Sequence, residues 1–547
     1  MRCVARFALA VVGTVVLALP ASAGNSSTSP DAQARLLDEG FNHSQVMPTA
    51  EWLADHIGAR LTGSPGMRAA EQWTQEQFRL WGLRNVHREG FAFGRGWQAE
   101  RVSVRMLAPR PLALHAMAVA WTPSTAGMVT APIVVAPIRR AADLNAWRGK
   151  LSGKIVLVEL PSAGSEPTEP AYVRYNDAQI AQMDHYDQPQ HGSDAAPVWL
   201  KHARLQTRID AFLKREGAVA RVAQSYADGG LLHGEGTGYV QGAALPAVEV
   251  AAEDYRRLAR LAKTGPVTLE IDSQTQFFDQ DRQAYNIIAD IPGTDPRAGY
   301  VMAGAHLDSW AAADGAADNG AGVAMVMEAA RLLAATGVRP RRTIRFALWA
   351  GEEQGLLGSK AYVEQHIATR PPAAPGTTGL EDYFQWSRRY PVTPLADYGK
   401  LAAYFNIDNG SGKLRGIYAQ GNLAAVPLLE TLIAPFHALG MDKVVAGNTD
   451  STDHEFFAAA GLPAFQFIQD PLDYESRVHH SSIDTYDHLQ GADMRQGAVV
   501  LAGLLLEVAN RGEPLPRQVL PTKPAPSDPF RYEIPDSPAE DSDDPTP

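Results

Sequence analysis

In the second half of the chain, short apolar runs typical of buried strands alternate with apolar stripes typical of helices. Short, fully apolar runs predict buried strands at Tyr300 to Ala305, Thr343 to Ala350, Leu401 to Ile407 and Ala464 to Ile468. An apolar stripe from Val323 to Leu333 predicts a helix, which should end at Gly337 and Pro340. Further helices are predicted for Ala424 to Leu439 and Met494 to Val508. Strands that alternate with helices are typical of an α/β domain.

The first half of the chain divides into two patterns. Residues 31–110 have helical spacing at Met47 to Ile57 and at Ala69 to Trp81. Residues 111–275 instead alternate short β-type runs with turns, and a polar stretch from Ser162 to Pro197 predicts a long loop. We therefore expect a catalytic domain in two parts, residues 31–110 and 276–513, with an inserted β-rich domain at 111–275.

Both ends of the chain differ from this folded pattern. Arg2 and Arg6, the apolar run from Phe7 to Leu19 and the small residues at 21–23 predict a cleaved export signal over residues 1–23. Residues 514–547 are rich in proline and acidic residues and lack apolar periodicity, which predicts a disordered tail. We expect a secreted or periplasmic protein with no stable membrane insertion once the signal is removed.

Composition narrows the possible chemistry. The 547 residues exceed one ordinary core, and two domains with tails are the natural expectation. The formal net charge is -12, which argues against nucleic acid as a partner. Cys3 is the only cysteine and lies in the predicted signal, so thiolate metal sites and cysteine catalysis are excluded from the mature chain.

Acids and histidines accumulate where the predicted strands of the second half end. The groups are His306 and Asp308, Asp318, Glu352 and Glu353, Asp408, and His479 and His480. Because ligands bind beyond the carboxyl ends of strands in open α/β sheets, we expect these side chains to converge. Imidazole and carboxylate donors without thiolate suit zinc, and less tightly cobalt or manganese. The sequence therefore predicts a metal-dependent hydrolase with one carboxylate free to act as a base.

The same residues resemble peptidase family 28, the di-zinc exopeptidases that include bacterial leucyl aminopeptidases, carboxypeptidase Q and glutamate carboxypeptidase II. The likeness lies in the order, spacing and flanking residues over most of 286–510, and residues 58–65 resemble an early segment of the family. It implies a three-layer α/β/α sandwich with a mostly parallel central sheet. Residues 111–275 look like the protease-associated domain that many members carry as an insertion.

The resemblance also implies roles for individual residues. His306, Asp318 and Asp408 would hold one zinc ion, and Asp318, Glu353 and His480 the second, with Asp318 shared. Glu352 would be the general base and later the proton donor. His480 is preferred to His479 because the family's histidine precedes a hydroxyl residue, two further residues and an acid, as His480 does. A cis peptide is expected at Asp318-Asn319.

Three features near this constellation are left open by the sequence. Asp308 could accept the second ring N–H of His306, as carboxylates behind metal-bound histidines do. Several relatives place a tyrosine near the last metal histidine to stabilise the oxyanion, whereas this chain has His479 there. Tyr474 and His479 are both candidates for that role. Asp453 and His454 also stand out, although the simpler explanation is a helix start with Asp453 or Thr452 as its cap.

The leading hypothesis is an exported aminopeptidase that acts on peptides with two zinc ions. A carboxypeptidase or dipeptidase of the carboxypeptidase Q type is the main alternative, because residues 306–310 particularly resemble that branch. A one-zinc glutaminyl cyclase and an inactive binding ectodomain are weaker alternatives, since all five ligands and the base are present. The substrate, the oligomeric state and the role of the inserted domain cannot be read from the sequence.

Overall fold

A mixed eight-stranded sheet forms the centre of the molecule. The computed structural model describes residues 30–164, 167–184, 195–375, 377 and 379–519. From one edge to the other, the strands of this first sheet are Arg84–Ala92, Gln283–Ile291, Thr343–Trp349, Tyr300–His306, Leu401–Asn406, Ala464–Gln469, Leu414–Tyr418 and Lys443–Val445.

The four central strands of the first sheet run parallel to one another. Thr343–Trp349, Tyr300–His306, Leu401–Asn406 and Ala464–Gln469 pair in this way, and the flanking strands add antiparallel pairings. Every residue of Tyr300–His306 is buried. Covered faces on both sides explain why these strands read as continuous apolar runs rather than alternating ones. The predicted α/β class with a parallel centre is confirmed.

Helices cover both faces of the first sheet, as the expected three layers require. On one face, Ala321–Ala335 and Gly491–Asn510 bury nearly all their apolar residues in the largest core cluster. A second cluster on the other face includes Tyr362, Trp386 and Phe457. The α-helices of the described residues are Pro30–Asn42, Val46–Glu51, Pro65–Leu80, Asp177–Gln182, Ala195–Arg215, Ala252–Ala262, Ala321–Ala335, Leu357–Tyr362, Gly379–Trp386, Val426–Ile433, Glu455–Ala459 and Gly491–Asn510.

A second eight-stranded sheet is built from the middle of the chain. In spatial order its strands are Leu112–Ala113, Gly96–Ala108, Thr268–Phe278, Val129–Val135, Ile155–Leu157, Ala220–Gln224, Ala247–Val250 and Ala116–Ala118. Gly96–Ala108 and Thr268–Phe278 pair along most of their length. The second sheet therefore extends beyond residues 111–275 at both ends. The polar stretch predicted as a loop also contains two helical segments, Asp177–Gln182 and the start of Ala195–Arg215.

The ends of the chain are only partly described. The predicted signal and Cys3 lie outside the described residues, as do residues 520–547. Residues 514–519, predicted as the start of a disordered tail, pack against the body: Leu515 is buried, and its N–H donates to the Ala402 carbonyl. No helix among the described residues is long and apolar enough to cross a membrane.

Candidate active site

The ends of two parallel strands and one loop bring the first three predicted ligands together. His306 is the last residue of Tyr300–His306, and Asp408 follows Leu401–Asn406 by two residues. The His306 Nε2 atom lies 3.2 Å from Asp318 Oδ1 and 3.3 Å from Asp408 Oδ1. The ligand atoms of these three residues all lie within 4.8 Å of one another. One cation could therefore contact all three.

The other ring nitrogen of His306 is held by main chain rather than by the expected carboxylate. Nδ1 lies 2.9 Å from the Asp308 carbonyl oxygen, which can only accept, so Nδ1 carries a proton and Nε2 is the nitrogen that faces the other ligands. The Asp308 carboxylate is 3.7 Å from Nδ1. It accepts instead from the main-chain N–H groups of Glu352 and Glu353, at 3.2 and 3.4 Å. Asp308 thus fixes the turn that carries the predicted base.

A second group of ligands shares Asp318 with the first. His480 Nε2 lies 2.9 Å from Glu353 Oε2 and 3.4 Å from Asp318 Oδ2. Asp318 Oδ2 and Glu353 Oε1 are buried and have no hydrogen-bond partner. Buried carboxylate oxygens left without a partner are costly unless a cation binds them. His479 stands beside this group, with its Nε2 atom 3.8 Å from Asp318 Oδ2.

The shared aspartate sits in a loop that its neighbours hold by main-chain contacts. The loop begins at Gly315, whose left-handed φ of 61° favours glycine. The Asp484 carboxylate accepts from the N–H groups of Ala317 and Asp318, at 2.6 and 3.0 Å. The Asp318-Asn319 peptide is cis, as the resemblance implied. Asp484 is the acid four residues after His480 in the family-like pattern, and the structure gives it this anchoring contact.

Arg60 is a functional neighbour that sequence reasoning did not single out. Its side chain is fully buried, and the guanidinium donates to the carbonyls of Leu307, Asp314 and Gly315 at 2.7–2.8 Å. These carbonyls belong to the loop between His306 and Asp318, so Arg60 braces both ligands. The available signal was the family-like segment 58–65, which contains Arg60.

Glu352 is the one acid of the adjacent pair that faces no ligand histidine at bonding distance. Its side chain is 9% exposed. Burial, together with the neighbouring carboxylates Asp408 and Glu353, raises its pKa well above the usual range. Bound cations would oppose this shift, because positive charge favours the ionised form. A buried carboxyl with a raised pKa beside the proposed ligands suits a proton-transfer role.

Asp453 does not behave as a helix cap. The helix Glu455–Ala459 has no side-chain cap, and the Thr452 hydroxyl accepts from the Asp453 N–H at 2.7 Å. Both Asp453 carboxylate oxygens are buried without a hydrogen-bond partner. Burial raises the pKa of this carboxyl to about 8. The Thr452-Asp453-His454 segment is therefore part of the buried surroundings of the ligand cluster rather than a capping device.

The two oxyanion candidates lie together. The Tyr474 ring is 5.0 Å from that of His479, and His479 lies 3.8 Å from the His480 ring. Tyr474 is buried, whereas the His479 side chain is 42% exposed. Trp310 lines the cleft above Asp318, Glu353 and His480. Tyr474 lines a second cleft, together with Ala317 and Asp473.

These residues define a class of protein before any comparison is made. Two donor sets of nitrogen and oxygen share one aspartate, contain unpartnered buried oxygens, and stand beside a free buried glutamate. A bridged pair of divalent cations with an adjacent base is the arrangement of hydrolases that attack an acyl carbon with water.

Comparisons with known proteins agree with this class. Residues 286–504 match the sequence model of Peptidase family M28. Mouse (Mus musculus) carboxypeptidase Q is 28% identical over 476 residues, which cover 85% of this chain and 86% of that protein. A crystal structure of a peptidase M28 precursor from Shewanella amazonensis SB2B is 24% identical, with a TM-score of 0.62 and coverage of 90% and 99%. The zinc aminopeptidase BSAP from Bacillus subtilis is 20% identical, with a TM-score of 0.53 and coverage of 84% and 93%.

The match over residues 286–504 and the carboxypeptidase Q relatives support an exopeptidase of the Peptidase M28 family. The two solved structures support a similar fold for this chain. The matched residues 286–504 contain every proposed ligand and the proposed base.

Proposed function

We propose that this protein is an exported, di-zinc aminopeptidase that removes the first residue of peptides. The observation that carries the proposal is the convergence of two ligand sets on Asp318. His306 and Asp408 complete one set, and Glu353 and His480 complete the other.

The donor chemistry supports zinc as the bound metal. Imidazole nitrogen and carboxylate oxygen are the donors that catalytic zinc sites use, and no thiolate is available. When bound, a zinc pair would lower the pKa of water and polarise the scissile carbonyl. Metal analysis of the purified protein should give two zinc ions per chain. One ion would favour the cyclase alternative, and none would favour a binding protein.

Glu352 is the residue that moves the proton. The Glu352 carboxylate accepts a proton from the attacking water. The water oxygen then bonds to the carbonyl carbon of the scissile peptide. The same carboxyl donates that proton to the leaving nitrogen as the C–N bond breaks. The Asp308 carboxylate accepts a hydrogen bond from the main-chain N–H of Glu352. This contact keeps the Glu352 carboxyl oriented toward the ligand cluster.

His479 or Tyr474 assists at the developing oxyanion. Tyr474 offers a neutral O–H, because burial and nearby acids keep its pKa well above the usual range. His479 is the more exposed of the two, and its Nε2 atom lies 3.8 Å from Asp318 Oδ2. Replacing each with phenylalanine separates them: the true donor should lower kcat by about 100-fold or more with little change in KM.

The charge around the cleft supports recognition of an amino terminus. The charged groups that act most strongly on Glu352 and Glu353 are histidines and other carboxylates. The Arg60 guanidinium, which interacts with Asp318, is occupied by main-chain carbonyls. The described residues that line the cleft include no lysine or arginine to pair with a substrate carboxylate.

Matched peptides test the direction of cleavage. Free and N-acetylated versions of one sequence, each with a free or amidated carboxyl end, are incubated with the mature protein and analysed by mass spectrometry. An aminopeptidase releases the first residue only from peptides with a free amine. Cleavage of acetylated peptides at the carboxyl end would overturn the aminopeptidase proposal.

A carboxypeptidase or dipeptidase is the second candidate. The observation that favours it is the match to carboxypeptidase Q along 85% of the chain, beyond the family core. The same peptide panel decides between the two. Dipeptides belong in it, since a dipeptidase would cut them and leave longer peptides intact.

Export and the inserted domain belong to the same proposal. The basic, apolar and small-residue segments of residues 1–23 support removal of a signal, which amino-terminal sequencing of the secreted protein tests. An amino terminus near Gly24 is expected, and retention of Met1 would contradict it. The second sheet, on a separate stretch of chain from the ligands, supports a protease-associated domain.

A further inference from the structure

The segment between two strands of the second sheet reaches the ligand cluster. Strands Ala220–Gln224 and Ala247–Val250 are joined by residues 225–246. Within this segment, Glu235 Oε1 lies 3.0 Å from His480 Nδ1. The opposite nitrogen of the same ring, Nε2, faces Glu353 and Asp318. The His480 ring is therefore held between the second sheet's connecting segment and the acids on the first sheet.

The main chain on both sides of Glu235 is fixed by close packing. A Cβ atom at Gly234, which has a φ of 62°, would lie 2.9 Å from the Ala118 carbonyl oxygen. At Gly236 it would lie 2.3 Å from the Ala120 carbonyl oxygen. Real Cβ atoms do not approach so closely, so glycine at both positions lets the segment lie directly on its neighbour. Glu235 is the single side chain that projects between these two contacts.

Hydrogen bonds complete the support of this segment. The Glu249 carboxylate accepts from the N–H groups of His233 and Gly234, at 2.8 and 3.3 Å. Leu232 exchanges two hydrogen bonds with Ser482, two residues after His480, at 2.7 and 3.2 Å. The segment is thus tied to the second sheet on one side and to the ligand loop on the other.

We propose that Glu235 is a positioning residue for the metal site: it accepts the Nδ1–H of His480 and aims Nε2 at the metal shared with Glu353. His480 needs such support because it has a left-handed φ of 57° and a side chain that is 22% exposed. His306, by comparison, is buried and oriented by main chain. The inserted sheet then contributes directly to the catalytic centre.

This inference rests on the proposed metal-dependent function and assigns a part of that site to residues outside 286–504. Carboxylates that accept the second N–H of a ligand histidine fix its tautomer and orientation, and their loss typically costs about 10- to 100-fold in metal affinity. Glu235 does not contact the other ligand set. Its removal should therefore weaken one of the two metal sites and leave the His306 site intact.

Metal retention in the purified, full-length mature protein tests the proposal. Wild type, Glu235→Ala, Glu235→Gln and the control Glu100→Gln are loaded with zinc and titrated with a chelator. Glu100 is an exposed acid of the second sheet, so its variant controls for loss of one charge. Glu235→Ala should release one zinc ion at a chelator concentration about 10- to 100-fold lower than wild type. The chelator concentration that releases zinc from Glu235→Gln should lie between those of wild type and Glu235→Ala, because the glutamine amide oxygen still accepts an N–H.

Cobalt substitution gives a readout independent of turnover. Loss of the second site's visible absorption in Glu235→Ala, with recovery at excess cobalt, supports a positioning role. Equal retention of both metals by wild type and Glu235→Ala overturns it. If Glu235→Ala fails to fold, Glu235→Gln becomes the test. Zinc retention equal to wild type and an unchanged cobalt spectrum in Glu235→Gln would then overturn the positioning role. Absence of metal from wild type itself would instead refute the proposed function.

Discussion

The adjacent acids Glu352 and Glu353 offer the sharpest test of the proposed site, because equal substitutions should have different effects. Glu353 Oε2 lies 2.9 Å from His480 Nε2, and its other oxygen is buried without a partner. Glu352 makes no such contact with a ligand histidine. We expect Glu352→Gln to keep both metals and lose turnover, and Glu353→Gln to lose metal.

The size of the effect follows from what remains near Glu352. A positioned general base contributes about 10²- to 10⁴-fold to the rate, or about 3–5.5 kcal/mol of barrier. Asp318, Glu353 and Asp408 are proposed ligands and cannot replace it. We therefore expect kcat of Glu352→Gln to fall by about 10³-fold or more, with KM little changed.

The assay combines steady-state peptide hydrolysis with metal analysis of the same preparations. Glu353→Gln should bind one metal more weakly than wild type by more than about 100-fold, since a ligand should matter more than its supporting residues. Glu352→Gln with more than a tenth of wild-type kcat would refute its role as base. Equal metal loss in both variants would refute the division of roles between the two acids.

Three further perturbations probe the surroundings of the site. Chelation should lower the melting temperature as well as abolish hydrolysis, because it leaves carboxylates clustered without cations; an unchanged melting temperature in activity-free protein would contradict this. Gly322→Ala should lower metal content although it changes no ligand, because the new Cβ would lie 2.2 Å from Asn319 Oδ1 and 2.6 Å from the Ile407 carbonyl oxygen; full metal content would contradict it. Burial lowers the pKa of His454 to about 4, so the folded state binds fewer protons than the unfolded chain between pH 6.5 and 4, and stability falls as pH falls. His454→Gln should lose this pH dependence, which is worth about 3 kcal/mol of unfolding free energy by pH 4. If the unfolding free energies of wild type and His454→Gln change in parallel between pH 6.5 and 4, the prediction is wrong.

Local pattern was sufficient for the elements that pack by burial. The strands Tyr300–His306 and Thr343–Trp349 and the helix Gly491–Asn510 fall within a few residues of their predicted ranges. Continuous burial leaves a continuous apolar signal, which needs no knowledge of neighbours. Leu414–Tyr418 and the edge strand Lys443–Val445 carry a mixed pattern, and they were not predicted.

The sequence by itself determined the chemical inventory: the histidine and carboxylate donors, a single cysteine at position 3, and the strand ends on which those donors stand. Only the tertiary structure decided which atoms meet. In the folded chain, the Asp308 carboxylate accepts from the main-chain N–H of Glu352, and the buried Arg60 donates to the Leu307 carbonyl of the ligand loop. Glu235 lies within hydrogen-bond distance of His480. Such contacts join residues far apart in the chain, and periodicity reports only which face is buried, not which distant partner covers it.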